Sequence, residues 1–164
     1  MIIEENFVFP VYINEDTIKK IILYCKSFKK EIFGYLIGSI LKWDDKIYVK
    51  IEDLLFLLGA IHSEDYSTAQ IEGAAGKYES KFQRLKKKRG NPSLRILGWF
   101  HSHPGFGCFL SNTDLKTQRY FFPESYQVAL VVDPIRDELG FYTLANSSEK
   151  GYKPISYAVI SPSE

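Results

Sequence analysis

The sequence predicts a protein of the α/β class. Apolar runs of strand length, such as residues 96–101, alternate with segments in which apolar residues recur at helical spacing, such as residues 18–28. The composition is that of a globular protein, with 45% hydrophobic and 25% charged residues in a chain of 164. Because this length can bury one core and no linker or repeat divides it, we expect a single domain over residues 1–164.

The first half of the chain predicts strands around one helix, followed by a loop and a second helix. Asn14 is a favourable N-cap for the first helix, and acidic residues follow it in the first turn. We expect the apolar residues of the second helix, which begin with Tyr78 and Phe82, to face the core. The predicted elements are a strand over 7–13, a helix over 15–30, strands over 32–38 and 47–56 joined by a turn at 43–46, a loop over 57–76 and a helix over 77–89.

The second half predicts four strands and one short helix. Pro123 is expected to end that helix, because proline cannot continue a helical hydrogen-bond ladder. The predicted elements are strands over 96–101, 126–132, 139–144 and 157–160 and a helix over 112–121.

The charge, the apolar segments and the cysteines indicate neither a nucleic-acid nor a membrane partner and favour a reducing compartment. The net charge is +1, and we interpret the basic run 86–89 as a solvated helix end, so neither feature predicts a nucleic-acid partner. No apolar stretch is long enough to span a bilayer, and the N-terminus lacks the basic start of a signal peptide. Cys25 and Cys108 lie in unlike contexts, which favours free thiols in a reducing cytoplasm.

A candidate metal site follows the strand at residues 96–101. His101 and His103 are two residues apart, so an extended backbone directs both imidazoles to one face. Gly105 and Gly107 allow a sharp turn that could return Asp114 to the histidines. Two imidazoles and one carboxylate, with water in the fourth position, form a catalytic zinc arrangement. The sequence therefore predicts one zinc ion held by these three side chains.

Each part of this pattern also has a purely structural interpretation. Two histidines on a strand bind no metal more often than they bind one. Ser111 and Asp114 have the spacing of a helix N-cap and its first-turn acid, a role that is compatible with lining a site. The combination favours the metal site, because two of the three histidines in the chain lie beside a glycine loop and an acid.

The segment from His101 to Asp114 resembles the JAMM (MPN+) metalloisopeptidases. Their motif is His-x-His-Pro, six residues and Ser-x-x-Asp, and here it reads His101-Ser-His103-Pro104, residues 105–110 and Ser111-Asn-Thr-Asp114. The flanking segments, residues 98–100 and 105–108, look like those of the members in the proteasome lid and the COP9 signalosome. The resemblance covers roughly residues 8–145. It implies an MPN (cytidine-deaminase-like) fold, with a curved, mixed and largely antiparallel sheet flanked by helices.

The resemblance changes the interpretation of Glu31. From local sequence alone, Glu31 is a solvated carboxylate at an unfavourable helix C-terminus, paired with a neighbouring lysine. The family places its catalytic glutamate in a Glu-x-x-Gly segment, and Glu31-Ile-Phe-Gly34 matches that segment. The resemblance therefore implies that Glu31 is the general base.

The resemblance also implies an activity. Zinc-activated water would hydrolyse the bond between the C-terminus of ubiquitin or a ubiquitin-like protein and a lysine or peptide, with Glu31 moving the proton and Ser111 donating to the oxyanion. Covalent catalysis by Cys108 or Ser111 is disfavoured, because neither has a separate activating base. In the family, the insertion that corresponds to residues 57–76 borders the substrate channel, but we do not expect His62 to take part in the chemistry.

Two other functions remain open at this point. The chain could process a ubiquitin-like sulfur carrier, as some family members are thought to do. It could also be a non-catalytic MPN scaffold, although every motif position is filled. An activating complex or a homodimer is possible in each case, and the sequence does not identify the residues that bind substrate.

Overall fold

The computed structural model describes the backbone of residues 8–62 and 68–161 and the side chains of these residues except 57–75. Three helices and eight strands make up this part of the chain. The helices are α1 (Glu15–Ser27), α2 (Thr68–Arg89) and α3 (Asn112–Phe121). The strands are β1 (Val11–Asn14), β2 (Glu31–Trp43), β3 (Lys46–His62), β4 (Arg95–Ser102), β5 (Val128–Asp133), β6 (Glu138–Leu144), β7 (Tyr152–Ile155) and β8 (Tyr157–Ile160).

The eight strands form one mixed sheet in the order β7-β6-β5-β4-β2-β3-β1-β8. Four of the seven neighbouring pairs are antiparallel, and the pairs β1–β3, β1–β8 and β4–β5 are parallel. The two outermost strands, β7 and β8, are separated in sequence by Ser156 alone, so the sheet must curl. The predicted α/β class with a curved, mixed and largely antiparallel sheet is confirmed.

Alternating residues of the strands supply two separate cores, one on each face of the sheet. In β5, Val128, Leu130 and Val132 pack into the core that includes Ile18 and Ile21 of α1. Ala129 and Val131 of the same strand belong to the other core, which also receives residues of α2 and α3. This period of two is the strand geometry itself, and it means that the helices cover both faces.

The second helix packs as the sequence predicts. Tyr78 and Phe82 are buried in the core on the α2 side of the sheet, and Leu85 packs against it. The ring of Tyr78 stacks on Tyr35 with centroids 4.2 Å apart, and its hydroxyl donates to the Phe33 carbonyl at 3.2 Å. These apolar side chains therefore fix α2 against β2, next to the first residues of that strand.

Several predicted boundaries are wrong, mostly between β3 and α2. The segment 57–76 was expected to be a loop, but β3 continues to His62 and α2 already begins at Thr68. Strand β7 was not predicted, and α1 ends at Ser27 before the two lysines that were expected to complete it. Residues 63–67, residue 7 of the predicted first strand and the side chain of His62 lie outside the described part. The single-domain extent of 1–164 stays a prediction.

Two further expectations concern the cysteines and the membrane. Cys25 and Cys108 are both free thiols, as predicted, and Cys25 is fully buried in the core around α1. Burial raises the pKa of the Cys25 thiol to about 12. In the part of the chain that the structure describes, no helix has both the length and the apolar character needed to cross a bilayer.

Candidate metal centre

The candidate metal centre lies where β4 ends in the middle of the sheet. His101 is the penultimate residue of β4, between the antiparallel neighbour β2 and the parallel neighbour β5. His103 follows the strand, but its N–H still donates to the Val132 carbonyl at 2.8 Å. The extended path that the sequence predicts for both histidines is therefore maintained by β5.

Asp114 reaches the site from the first turn of α3. Ser111 is the N-cap, and its hydroxyl accepts from the Asp114 N–H at 3.1 Å while Asp114 Oδ2 accepts from the Ser111 N–H at 2.9 Å. This reciprocal capping box orients the carboxylate and satisfies two N–H groups of the helix end. The structural interpretation of Ser111 is correct, and it places Ser111 beside the carboxylate.

The three side chains converge in the buried part of the molecule. One potential ligand atom from each of His101, His103 and Asp114 lies within 4.8 Å of the others, and all three residues are buried. Asp114 Oδ2 is 3.2 Å from His101 Nε2 and 3.1 Å from His103 Nε2. Two nitrogen donors and one oxygen donor suit zinc, so the donor set and its geometry fit the predicted ion.

Neighbouring groups shift the pKa values of Asp114 and His103. Burial opposes ionisation of Asp114. The charge and hydrogen bond of His101 nevertheless hold the pKa of Asp114 well below its usual range, and hydrogen bonds from His103 and the Ser111 N–H act in the same direction. Burial likewise opposes protonation of His103, but the hydrogen bond and charge of Asp114, with a contribution from Glu31, raise the pKa of His103. Asp114 is therefore a carboxylate, as a metal ligand must be.

The orientation of His103 depends on the glycine loop. Its Nδ1 lies 3.1 Å from the Gly107 carbonyl oxygen, which can only accept a hydrogen bond. Nδ1 therefore carries a proton, and Nε2, which faces Asp114, is the ring nitrogen that a metal ion could use. The sequence alone did not identify this acceptor.

His101 is supported by a different group of residues. The Trp99 ring stacks on the His101 ring with centroids 4.1 Å apart and an interplanar angle of 14°. Trp99 Nε1 donates to Gln118 Oε1 at 2.6 Å, and Gln118 Nε2 donates to the carbonyls of Phe122 and Gln127. Sequence reasoning missed Gln118, although its position one turn after Asp114 puts both on the same face of α3.

The register of β2 and β4 brings Glu31 to the same end of the sheet. Phe33 is opposite His101, and the Ile32 N–H donates to Ser102 Oγ at 2.9 Å. Continuing this antiparallel register puts Glu31 opposite His103, on the face that carries the imidazoles. Glu31 is half-buried, and its charge reaches His103.

The loop after His103 is held by one buried carboxylate. Asp133 accepts the N–H groups of Gly105 and Gly107 in that loop and of Ile135 and Arg136 in the β5–β6 turn, at 2.7–3.1 Å. Burial opposes ionisation, but the four donors lower the pKa of Asp133 to about 2. Sequence reasoning missed this role of Asp133, although an aspartate that ends an apolar strand and precedes proline was an available signal.

Cys108 lies in this loop but is not arranged as a nucleophile. Its sulfur is 3.6 Å from the Val131 carbonyl oxygen, and the Tyr142 hydroxyl donates to the Cys108 carbonyl at 2.8 Å. Burial raises the pKa of the Cys108 thiol, whereas a reactive cysteine needs a lowered pKa. The expectation against covalent catalysis by this residue agrees with its surroundings.

Comparison with known proteins identifies similar chains. The family model described as JAB1/Mov34/MPN/PAD-1 ubiquitin protease matches residues 7–124. The chain is 30% identical over 132 residues to the "26S proteasome regulatory subunit RPN11" of Eremothecium gossypii and to the "Ubiquitin carboxyl-terminal hydrolase RPN11" of Saccharomyces cerevisiae. Each match covers 79% of this chain and 40% of the relative, so the chain spans about two fifths of the length of these relatives.

A solved structure has the same fold. The solution structure of protein DSY2949 from Desulfitobacterium hafniense superimposes with a TM-score of 0.62 and covers 94% of each chain. Its sequence identity to this chain is 16%, so the likeness concerns the fold.

Proposed function

The chain belongs to the JAB1/Mov34/MPN/PAD-1 ubiquitin protease family, and we propose that it is a zinc-dependent isopeptidase. Its substrate is the bond between the C-terminus of ubiquitin or a ubiquitin-like protein and a lysine or peptide amine. The observation that carries this proposal is the buried convergence of His101, His103 and Asp114 at the sheet end to which the strand register also brings Glu31. A relative named as a ubiquitin carboxyl-terminal hydrolase supports the same reaction class.

In this mechanism His101, His103 and Asp114 would hold one zinc ion, with Nε2 of His103 available because Nδ1 bonds to the Gly107 carbonyl. When bound, zinc supplies Lewis acidity to the scissile carbonyl and lowers the pKa of water towards about 7. Glu31 is the general base: a carboxylate oxygen takes a proton from the attacking water and passes it to the departing amine. Glu31 lies two residues before Phe33, the partner of His101 in the sheet, and its charge acts on His103, which supports this role.

Ser111 contributes through its hydroxyl hydrogen. Ser111 Oγ accepts the Asp114 N–H, so the oxygen is fixed by the helix cap while the hydroxyl can still donate. We propose that this hydrogen bonds the oxyanion that develops on the scissile carbonyl. Removal of one such donor elsewhere costs about 3 kcal/mol of transition-state stabilisation.

The proposed reaction takes place in the cytoplasm, on conjugates that the chain meets alone or within a complex. Two free thiols agree with a reducing cytoplasm. Activity should be measured both with the isolated chain and with an added assembly, because one relative is longer and is named as a proteasome subunit. Trimming of a ubiquitin-like sulfur carrier would use the same residues. A panel of linear and lysine-branched conjugates separates that activity from isopeptidase activity.

The deciding experiment compares wild type with Glu31→Gln on such a panel, with the zinc content of each sample measured. We expect the variant to retain zinc and to lose turnover by a factor of about 100 or more, because the base is lost while the metal ligands remain. Glu149→Gln, an exposed glutamate in the β6–β7 turn, is the matched control. Cys108→Ser should stay active.

Each contrary result has a distinct meaning. Normal turnover by Glu31→Gln would refute its role as the base. Zinc-loaded wild type that cleaves no conjugate, alone or with an added assembly, would favour a scaffold. An inactive Cys108→Ser variant would reopen the covalent mechanism.

A further inference from the structure

Beside the candidate metal centre lies an exposed apolar surface that the mechanism does not use. Phe106, Phe109 and Ile135 form this surface, which we call the rim patch, and they are 64%, 40% and 73% exposed. We propose that the rim patch binds the polypeptide that departs with the amine, and this inference rests on the proposed isopeptidase function. Large exposed apolar side chains that lie together mark interaction sites.

The rim patch is assembled from two segments that fit together closely. Gly105 and Gly107 flank Phe106, and both adopt positive φ angles, of 82° and 81°. Ile135 Cδ1 lies 3.6 Å from the position that a Cβ on Gly105 would take, and Arg136 Nη1 lies 3.2 Å from the equivalent position on Gly107. The two side chains of the β5–β6 turn therefore rest on the backbone on either side of Phe106.

This arrangement is fixed before any partner binds. The Asp133 carboxylate accepts N–H groups from both glycines and from Ile135 and Arg136, so one buried group joins both segments. A surface whose backbone is held in this way loses little conformational entropy on binding. The exposure of the rim patch is thus a property of an ordered surface.

The rim patch adjoins the metal ligands through Phe109. The Phe109 ring centroid is 4.8 Å from that of His103, so the surface begins at the site. At this end of the sheet the neighbouring strands are, in order, β5, β4, β2 and β3. Asp133 is the last residue of β5, and His62, the last residue of β3, pairs with Glu31. The rim patch therefore borders the site on the β5 side, opposite the end of β3.

The β3 side offers a different kind of surface. Strand β1 pairs with β3 only over Val49–Ile51, and no described strand covers that edge of β3 from Glu52 to His62. A strand edge without a partner strand suits an extended peptide, which is what the flexible C-terminal tail of a ubiquitin-like protein presents. The other half of an isopeptide is a lysine on a protein surface, and an apolar rim suits such a surface. We therefore assign the acyl half to the β3 side and the amine half to the rim patch.

The test uses two substrates that share the acyl half. One is ubiquitin joined at its C-terminus to aminomethylcoumarin, and the other is lysine-linked diubiquitin. If wild type prefers another modifier, both substrates are built on that modifier. Phe106→Ser and Ile135→Ser are measured singly and together. Ile47→Ser is the control, because Ile47 is 62% exposed and lies near the start of β3.

We expect the double variant to lose about tenfold in kcat/KM on the diubiquitin, as for truncation of a contact residue at an interface, and to change by less than roughly twofold on the coumarin substrate. Ile47→Ser should match wild type on both. Equal losses on both substrates, or no loss on either, would overturn the inference. Failure of wild type to cleave either substrate would instead overturn the proposed function on which the inference rests.

Discussion

At the residue scale, the two imidazoles of the candidate metal centre are oriented by different neighbours. His103 is fixed by a hydrogen bond to the Gly107 carbonyl, whereas His101 packs against the face of Trp99. The position of Trp99 in turn depends on Gln118, whose amide is fully buried and bonded on both its oxygen and its nitrogen. Partners of this kind influence metal affinity without contacting the ion.

Gln118→Met tests this dependence, because methionine has similar length but no hydrogen-bonding amide. The variant leaves the Trp99 N–H and the carbonyls of Phe122 and Gln127 without the bonds that Gln118 makes. We expect zinc affinity to fall by about tenfold, by analogy with other outer partners of metal ligands, and stability to fall by about 1–3 kcal/mol. Competition with a chelator measures the affinity.

The matched control is Gln83→Met, which changes an exposed glutamine of α2. It should leave both zinc affinity and stability unchanged. If Gln118→Met lowers stability but binds zinc as wild type does, then Gln118 supports the core alone and does not position His101.

At the element scale, the sequence identified those parts of the site that depend on local geometry. The strand period put His101 and His103 on one face, and the capping pattern put Asp114 in the first turn of α3. Glu31 could not be assigned in this way, because its position opposite His103 depends on the register of β2 against β4, some 70 residues later in the chain. Its role as base, like that of Ser111 at the oxyanion, stays a prediction.

The elements that sequence reasoning missed also depend on tertiary contacts. Strand β7 contains Pro154, which reduces strand propensity, but β7 is an edge strand where a missing N–H donor can be tolerated. Helix α2 begins with a stretch that includes Gly73 and Gly76, and glycine is a poor helix former. The continuation of β3 to His62 follows from pairing with the first residues of β2, including an irregularity near Ile32 that no local pattern indicates.

The link between the His103 loop and the β5–β6 turn gives a prediction about pH. Asp133→Asn removes the negative charge that four N–H groups surround, and we expect a loss of about 2–3 kcal/mol in the free energy of unfolding at neutral pH. The folded-state pKa of Asp133 is lowered to about 2 from 3.8, so its stabilisation is fully present above about pH 4 and is lost as the pH falls towards 2.

Denaturant unfolding of wild type and Asp133→Asn between pH 2 and pH 7 measures this effect. The difference between them should be constant from pH 5 to 7 and should shrink below pH 4. Asp45→Asn, in the exposed β2–β3 turn, is the control and should show no such difference. A difference that persists undiminished to pH 2 would contradict an electrostatic origin.

At the scale of the whole molecule, the candidate site joins segments that are distant in sequence. β2, β4 and the first turn of α3 meet at one end of the curled sheet, and β5 fixes the loop between the last two. A metal held by residues of β4, this loop and α3 would stabilise the assembled arrangement over the unfolded chain, where the ligands are far apart. Metal binding should therefore be coupled to the stability of the whole fold.

This coupling gives the last prediction. Ligand binding to the folded state adds about 2.7 kcal/mol of stability when free ligand is 100 times its dissociation constant, so zinc should raise the midpoint of thermal unfolding of wild type and a chelator should reverse the rise. His103→Ala should abolish the zinc-dependent increment, because one of the three ligands is lost. His62→Ala, which alters the remaining histidine of the chain, should keep it. Since His103→Ala also removes a bond to Asp114 and lowers the stability of the metal-free protein, the increment on adding zinc is the relevant quantity. An unchanged increment in this variant would show that the ligand assignment is wrong.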